Sequence, residues 1–219
     1  MMKLPAVSLI LLALPCFGIS AQQYTAARSV DTTVTIERGG TLRVSVLAGK
    51  VDVSGTSGSE ARIRGEIQEG ELRLRTRAST ITVDASPDRG SRSRATLDIT
   101  VPFGTSVVIE GYSAPVSVRG VRGKVKVEVL SGSVAIQDAT GGVAVETVSG
   151  NITVVKVQGD VSVESVSGRL DVSDIDGDIE GSSVSGGISV AGARAKSVKA
   201  ETVSGAVRYR GVIDPSGTY

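Results

Sequence analysis

One tripeptide recurs through the second half of the chain at nearly constant intervals. Leu-Ser-Gly at 130–132 is followed by Val-Ser-Gly at 148–150, 166–168, 184–186 and 203–205, in steps of 18, 18, 18 and 19 residues. Within that period lies a nine-residue unit. From residue 124 the blocks read KVKVEVLSG, SVAIQDATG, GVAVETVSG, NITVVKVQG, DVSVESVSG, RLDVSDIDG and DIEGSSVSG. An irregular ten-residue block, GISVAGARAK, and a final SVKAETVSG follow. The common form is x-U-x-U-x-x-U-x-Gly, with U apolar. Position 4 departs from it at Gly181, while position 7 stays apolar in the regular blocks.

Alternation at positions 2 and 4 predicts a strand with one buried face. The largely polar positions 5 and 6 interrupt that alternation. A bend between them returns position 7 to the interior, and the closing Gly makes a second corner. Each block is then one side of a coil. On this reading Val148, Val166 and Val184 form a buried file beneath Ser149, Ser167 and Ser185. Val166→Asp is then expected to unfold its rung. Glu164→Gln, in a row facing water, is expected to be nearly silent.

Two all-β architectures accommodate such blocks. In an antiparallel meander or sandwich each Gly is a hairpin turn. In a β-solenoid, a single-stranded β-helix-like fold, two blocks make one coil of about 18 residues. Only alternate blocks end in Ser-Gly; the others end Thr-Gly, Gln-Gly or Asp-Gly. Glu128, Glu146, Glu164 and Glu201 recur at the same step, with Ser182 in the missing place, whereas the half-step positions hold Gln137, Val155 and Ser173. Residues 18 apart do not touch in a meander but stack directly in a solenoid. The 18-residue memory therefore favours the solenoid.

The front of the chain is less regular. "TLRVSVLAGKVDVSG" (41–55) already carries the rung pattern, and "ARIRGEIQEGELRLRT" (61–76) alternates as strands with one wet face. "ASPDRGSRSRA" (85–95) reads as a loop. The organisation expected is a signal peptide over 1–21, a disordered mature segment over 22–30, and one β-repeat domain over 31–219. That domain divides into an irregular part, 31–112, and regular repeats, 113–219. The signal reading rests on Lys3, the apolar stretch 4–14 and a polar-leaning segment to Ala21. The apolar stretch is shorter than the roughly 20 residues of a membrane-spanning helix. An exported protein follows: periplasmic, cell-surface or extracellular, without a transmembrane helix in its mature chain. Cys16 is the only cysteine, and Pro15 before it argues against lipidation.

The chemistry available is narrow. The chain has no His, and its mature part has no Cys, which excludes the usual nucleophilic triads and His- or Cys-based zinc sites. Lys and Arg number 24 against 23 Asp and Glu, so there is no basic excess for nucleic acid. No catalytic, cofactor or metal residue is assigned. The densest acidic run, "DVSDIDGDIEG" (171–181), offers Asp171, Asp174, Asp176 and Asp178 to calcium, but Val172 stands where a first EF-hand ligand belongs. Solvated corners are the simpler account. Residues 138–180 carry nine carboxylates against Lys156 and Arg169, and residues 194–210 carry five cations against Glu201. That axial asymmetry points to end-to-end self-association through the C-terminal edge.

The stretches "LRVSVLAGKVDVSG", "LDITVPFGTSVVIEG", the Val-Ser-Gly rungs and "VSGAVRYRGVIDPSGTY", in that order, resemble the putative-adhesin family of bacterial envelope β-strand-repeat proteins, a domain of unknown function. The match covers about residues 31–219. The resemblance implies a β-helix-like fold and an exported, non-enzymatic structural or partner-binding role, with a surface glycan or an envelope protein as partner. It implies no catalytic residues and no cofactor. Family members continue past the Pro-x-Gly-x-Tyr stretch, so a closing cap is expected to be missing here or supplied by a partner. A polysaccharide lyase and an extracytoplasmic envelope-stress component are the alternative functions. Short turns and few aromatics speak against the lyase.

Overall fold

Stacked x-U-x-U blocks have to bury one face of every strand, and the chain does so by coiling. The computed structural model describes residues 23–27, 29–37, 39–68, 71–85, 94–212 and 217–218. The signal reading and most of the 85–95 loop lie outside them. The described residues form an all-β solenoid of two sheet faces around an aliphatic core. Face A carries β8 (Ser106–Ser113), β10 (Val125–Ser131), β12 (Val143–Ser149), β14 (Val161–Ser167), β16 (Ile179–Ser185) and β18 (Val198–Ser204). Face B carries β9 (Val116–Arg119), β11 (Val134–Thr140), β13 (Ile152–Gln158), β15 (Leu170–Asp176), β17 (Ile188–Ala191) and β19 (Val207–Arg210).

Neighbours on each face are parallel and in 18-residue register. Val125 pairs with Val143, Val143 with Val161 and Val161 with Ile179. Ser149, Ser167 and Ser185 are successive register partners, so they form one file and the meander is excluded. The irregular block keeps the stack by absorbing its extra residue at a corner. Asp176 bridges to Arg194, and Asp178 Oδ1 accepts from the Ser197 N–H at 2.9 Å, which leaves one added residue in between.

The front part closes the solenoid differently. β3 (Thr41–Thr56) is a whole coil in one strand: its first half pairs with β6 (Thr80–Ala85) and β8, its second with β7 (Ala95–Pro102) and β9. Beyond it the pairing turns antiparallel. β5 (Leu72–Arg77) joins β6 to β1 (Gln23–Ala27), and β4 (Glu60–Ile67) joins β7 to β2 (Ser29–Thr35). Residues 23–27 and 29–30, within the segment expected to lack structure, contribute β1 and the start of β2. Their polar sequence hides this, because pairing satisfies the free edge of β5 and needs no apolar run.

The core is almost wholly Val, Ile, Leu and Ala, and among the described residues the buried polar ones are Thr105, Thr147, Ser165 and Ser183. Each buried Val, Leu or Ile side chain stabilises the stack by about 1.5–3 kcal/mol. The corners are set by backbone approach. Gly168 has φ +145°, and a Cβ placed on it would lie 2.0 Å from the Gly150 carbonyl oxygen. The Gly150 N–H donates to the Ser167 carbonyl at 3.0 Å, one coil on. At the opposite corner Asp160 Oδ1 accepts from the Asp178 N–H at 3.1 Å. Gly181, the exception at position 4, is different. A Cβ there would meet Val163 and Ile188 methyl carbons at 3.6 Å, ordinary contact.

Two glycines of one strand pattern should therefore behave oppositely in denaturant unfolding. Gly168→Ala is expected to destabilise by several kcal/mol, because main chain cannot yield. Gly181→Ala is expected to stabilise by about 0.5–1 kcal/mol.

Candidate binding groove

The two faces handle position 6 differently, and the difference creates the main surface feature. On face B the position-6 residues Asp138, Lys156 and Asp174 adopt left-handed backbone, with φ of 53°, 56° and 56°. This bulge bends the strand, and position 7 turns inward: Ala139, Val157 and Ile175 are buried. On face A there is no such bend. Alternation runs on, so position 6 points inward as Val129, Thr147, Ser165 and Ser183. Position 7 then points out. Val148, Val166 and Val184, expected to be buried, are about half exposed; Val166 is 46% exposed.

The signal was present in the sequence. The regular face B blocks place a charged residue at position 6, whereas face A blocks place Val, Thr or Ser there. One averaged nine-residue pattern conceals this.

Face A consequently shows two parallel rails running along the solenoid axis. One is position 5: Glu110, Glu128, Glu146, Glu164, Ser182 and Glu201, partners in the ladder from strand to strand. The other is position 7: Tyr112, Leu130, Val148, Val166, Val184 and Val203, all exposed. Between and around them lies an open groove of about 900 Å³ that begins at Ser45 and Val46 on β3 and crosses to β18. Seven strands at about 4.8 Å spacing give it a length of about 29 Å. Its rails, two residues apart on each strand, are separated by about 6.6 Å.

The carboxylate rail is neutralised at its ends and open in the middle. Arg43 Nη1 lies 2.6 Å from Glu110, Lys126 Nζ 2.5 Å from Glu128, and Lys199 Nζ 3.7 Å from Glu201. The Glu128 carboxylate, accepting from Lys126, holds that ammonium above the usual lysine range, and Glu146 and Glu110 add to the effect. Glu180 does the same for Lys199, with Glu201 adding. No ion pair within 4.0 Å joins Glu146 or Glu164 to another described residue.

The acidic run takes other positions. Asp171 stands in the β15 ladder opposite Thr153 and Ser189. Asp174 occupies the bulge, and Asp178 secures the Ser197 N–H. Asp174 and Asp176 line a second, smaller depression together with Lys156 and Arg194. Among the described residues, no three Asp or Glu side chains converge as a metal-binding cluster. No described helix is long and apolar enough to cross a membrane.

Comparison with known proteins finds distant likenesses among solved structures. The chain is similar to the crystal structure of a putative adhesin from Bacteroides fragilis NCTC 9343, with 14% identity over 89% of this chain and 100% of that one, at a TM-score of 0.46. It is also similar to a putative cell adhesion protein from Clostridium sporogenes ATCC 15579, with 13% identity over 84% of this chain and 100% of that one, at a TM-score of 0.27. No family model and no curated protein matches the sequence.

Two variants separate the observed alternation from the one expected. Val166→Asp should lower stability by less than about 1 kcal/mol, since its side chain is in solvent. Thr147→Val should raise stability by about 1–2 kcal/mol. The Thr147 hydroxyl is buried without a hydrogen-bond partner among the described residues, and Val129 fills the equivalent place one coil earlier. Urea unfolding followed by circular dichroism measures both.

Proposed function

We propose that this protein is an exported, non-enzymatic binding scaffold of adhesin type, which holds an elongated envelope or surface partner along the groove of face A. The observation that carries this reading is the pair of rails. An exposed aliphatic file beside a carboxylate file, each hung on a hydrogen-bonded ladder, is a preorganised linear surface rather than a reaction cleft. Export rests on the sequence of residues 1–21. The end-to-end contact expected from the sequence would use β18, whose outer edge from Lys199 to Ser204 has no strand partner among the described residues.

Retention of the purified protein on isolated envelope fractions tests the reading. Native protein should be retained, and the Val148→Asp/Val166→Asp double variant, folded by circular dichroism, should be released. Equal retention of the two would end the groove reading. Ultraviolet-absorbing unsaturated products from acidic polysaccharides would overturn the non-enzymatic one. Mass spectrometry of the exported protein should find its first residue just after Ala21.

A further inference from the structure

We infer that the groove of face A takes a cationic amphipathic α-helix from a partner polypeptide, laid along the solenoid axis. This inference rests on the binding role just proposed and specifies its occupant.

Charge selects first. Glu146 and Glu164 sit mid-groove, exposed and without ion-pair partners among the described residues. A ligand that brings cations to this rail gains attraction and relieves repulsion between stacked carboxylates. The adjacent rail of Leu130, Val148, Val166 and Val184 selects for apolar side chains on the ligand's neighbouring flank.

Backbone chemistry then selects the conformation. The groove floor is the middle of a sheet, and β10, β12, β14 and β16 each have parallel partners on both sides. Their N–H and C=O groups are committed to the ladder. A peptide lying across them finds no edge to extend, so strand addition is closed to it. An extended peptide would lower its own unsatisfied amides onto an aliphatic rail. A helix arrives with those groups already bonded. Its pitch of about 5.4 Å lies close to the rung spacing of about 4.8 Å, whereas same-side residues of an extended chain recur at about 6.6 Å. Lys and Arg side chains are long enough to absorb the remaining mismatch. A groove of about 29 Å accommodates about 19 helical residues. A neutral glycan fits less well. Its hydroxyls would be desolvated against aliphatic groups, and the rail supplies a single aromatic platform, Tyr112.

The test uses the purified protein and four fluorescent probes. The first is a peptide of about 19 residues built from Leu, Lys and Ala, with Lys and Leu in adjacent helical stripes. The second is a scramble of the same composition, the third carries Glu in place of Lys, and the fourth is a chitosan oligosaccharide. Anisotropy should show binding of the patterned peptide, weakened by salt, with a gain of helical circular dichroism. Glu146→Gln/Glu164→Gln should weaken it about five- to tenfold, the loss of two exposed ion pairs. Val148→Asn/Val166→Asn, which removes the apolar contact without adding charge, should weaken it by at least as much. Glu-for-Lys replacement should abolish it. Equal binding of the scramble would overturn the helix and leave charge alone. Chitosan binding that is sensitive to the same variants, without peptide binding, would overturn the helix but keep the groove. Binding of any probe unaffected by both double variants, or no binding at all, would overturn the helix and count against the groove.

Discussion

The structure depends on the close approach of main chain at the Gly corners. With Gly150 and Gly168 stacked so that a Cβ would penetrate the carbonyl beneath, the coil-to-coil distance is fixed by backbone alone. The corner N–H of Gly132 and that of Gly150 each donate to the Ser carbonyl one coil on, so the ladder continues around the turn. Register then follows. Val stacks on Val, Ser on Ser and Glu on Glu because no other alignment brings one Gly over the next. Everything that points outward is repeated at the same interval as a consequence. The rails of face A are a by-product of the rule that holds the core together.

How much of this was legible in the sequence varies by feature. The x-U-x-U runs announce strands, and the step of 18 between Ser-Gly marks separates a coil from a meander, because only stacking gives residues 18 apart a reason to match. The fate of Val148, Val166 and Val184 was not legible from a nine-residue consensus. Whether position 7 turns inward depends on one left-handed residue before it, and that residue exists only on face B, as Asp138, Lys156 and Asp174. The candidate groove was therefore half visible: its Glu file could be read, and its apolar file was placed in the core. The antiparallel closure by β1, β2, β4 and β5 was also hidden. "EARIRGEI" declares a strand with one wet face, but its partners lie far away in sequence, and no local pattern names them.

A surface built this way binds differently from a pocket. No single rung offers much: an exposed ion pair contributes about 0.2–1 kcal/mol, and a half-exposed Val buries little more area. Affinity has to come from repetition along the axis. That requires a ligand which is itself linear and keeps step for several rungs. It also favours a rigid array. From β8 to β16 each rail residue is mounted on a strand bonded on both sides, so little main-chain entropy remains to be lost on binding. Cavity shape matters less here than period.

An exposed apolar file that crosses six strands, about 24 Å, is a hazard for self-association, and the neighbouring Glu file limits it. Consider two copies meeting face to face through face A. A two-fold axis along the strand direction would lay Val over Val but also Glu over Glu, setting like charges against each other across the contact. A two-fold axis along the solenoid would instead lay each Val file on the partner's Glu file, taking carboxylates out of water against methyl groups. Neither arrangement satisfies both rails. Only a partner with cations where this face has carboxylates does so. The charge that keeps two copies of the chain apart is the same charge that selects the ligand.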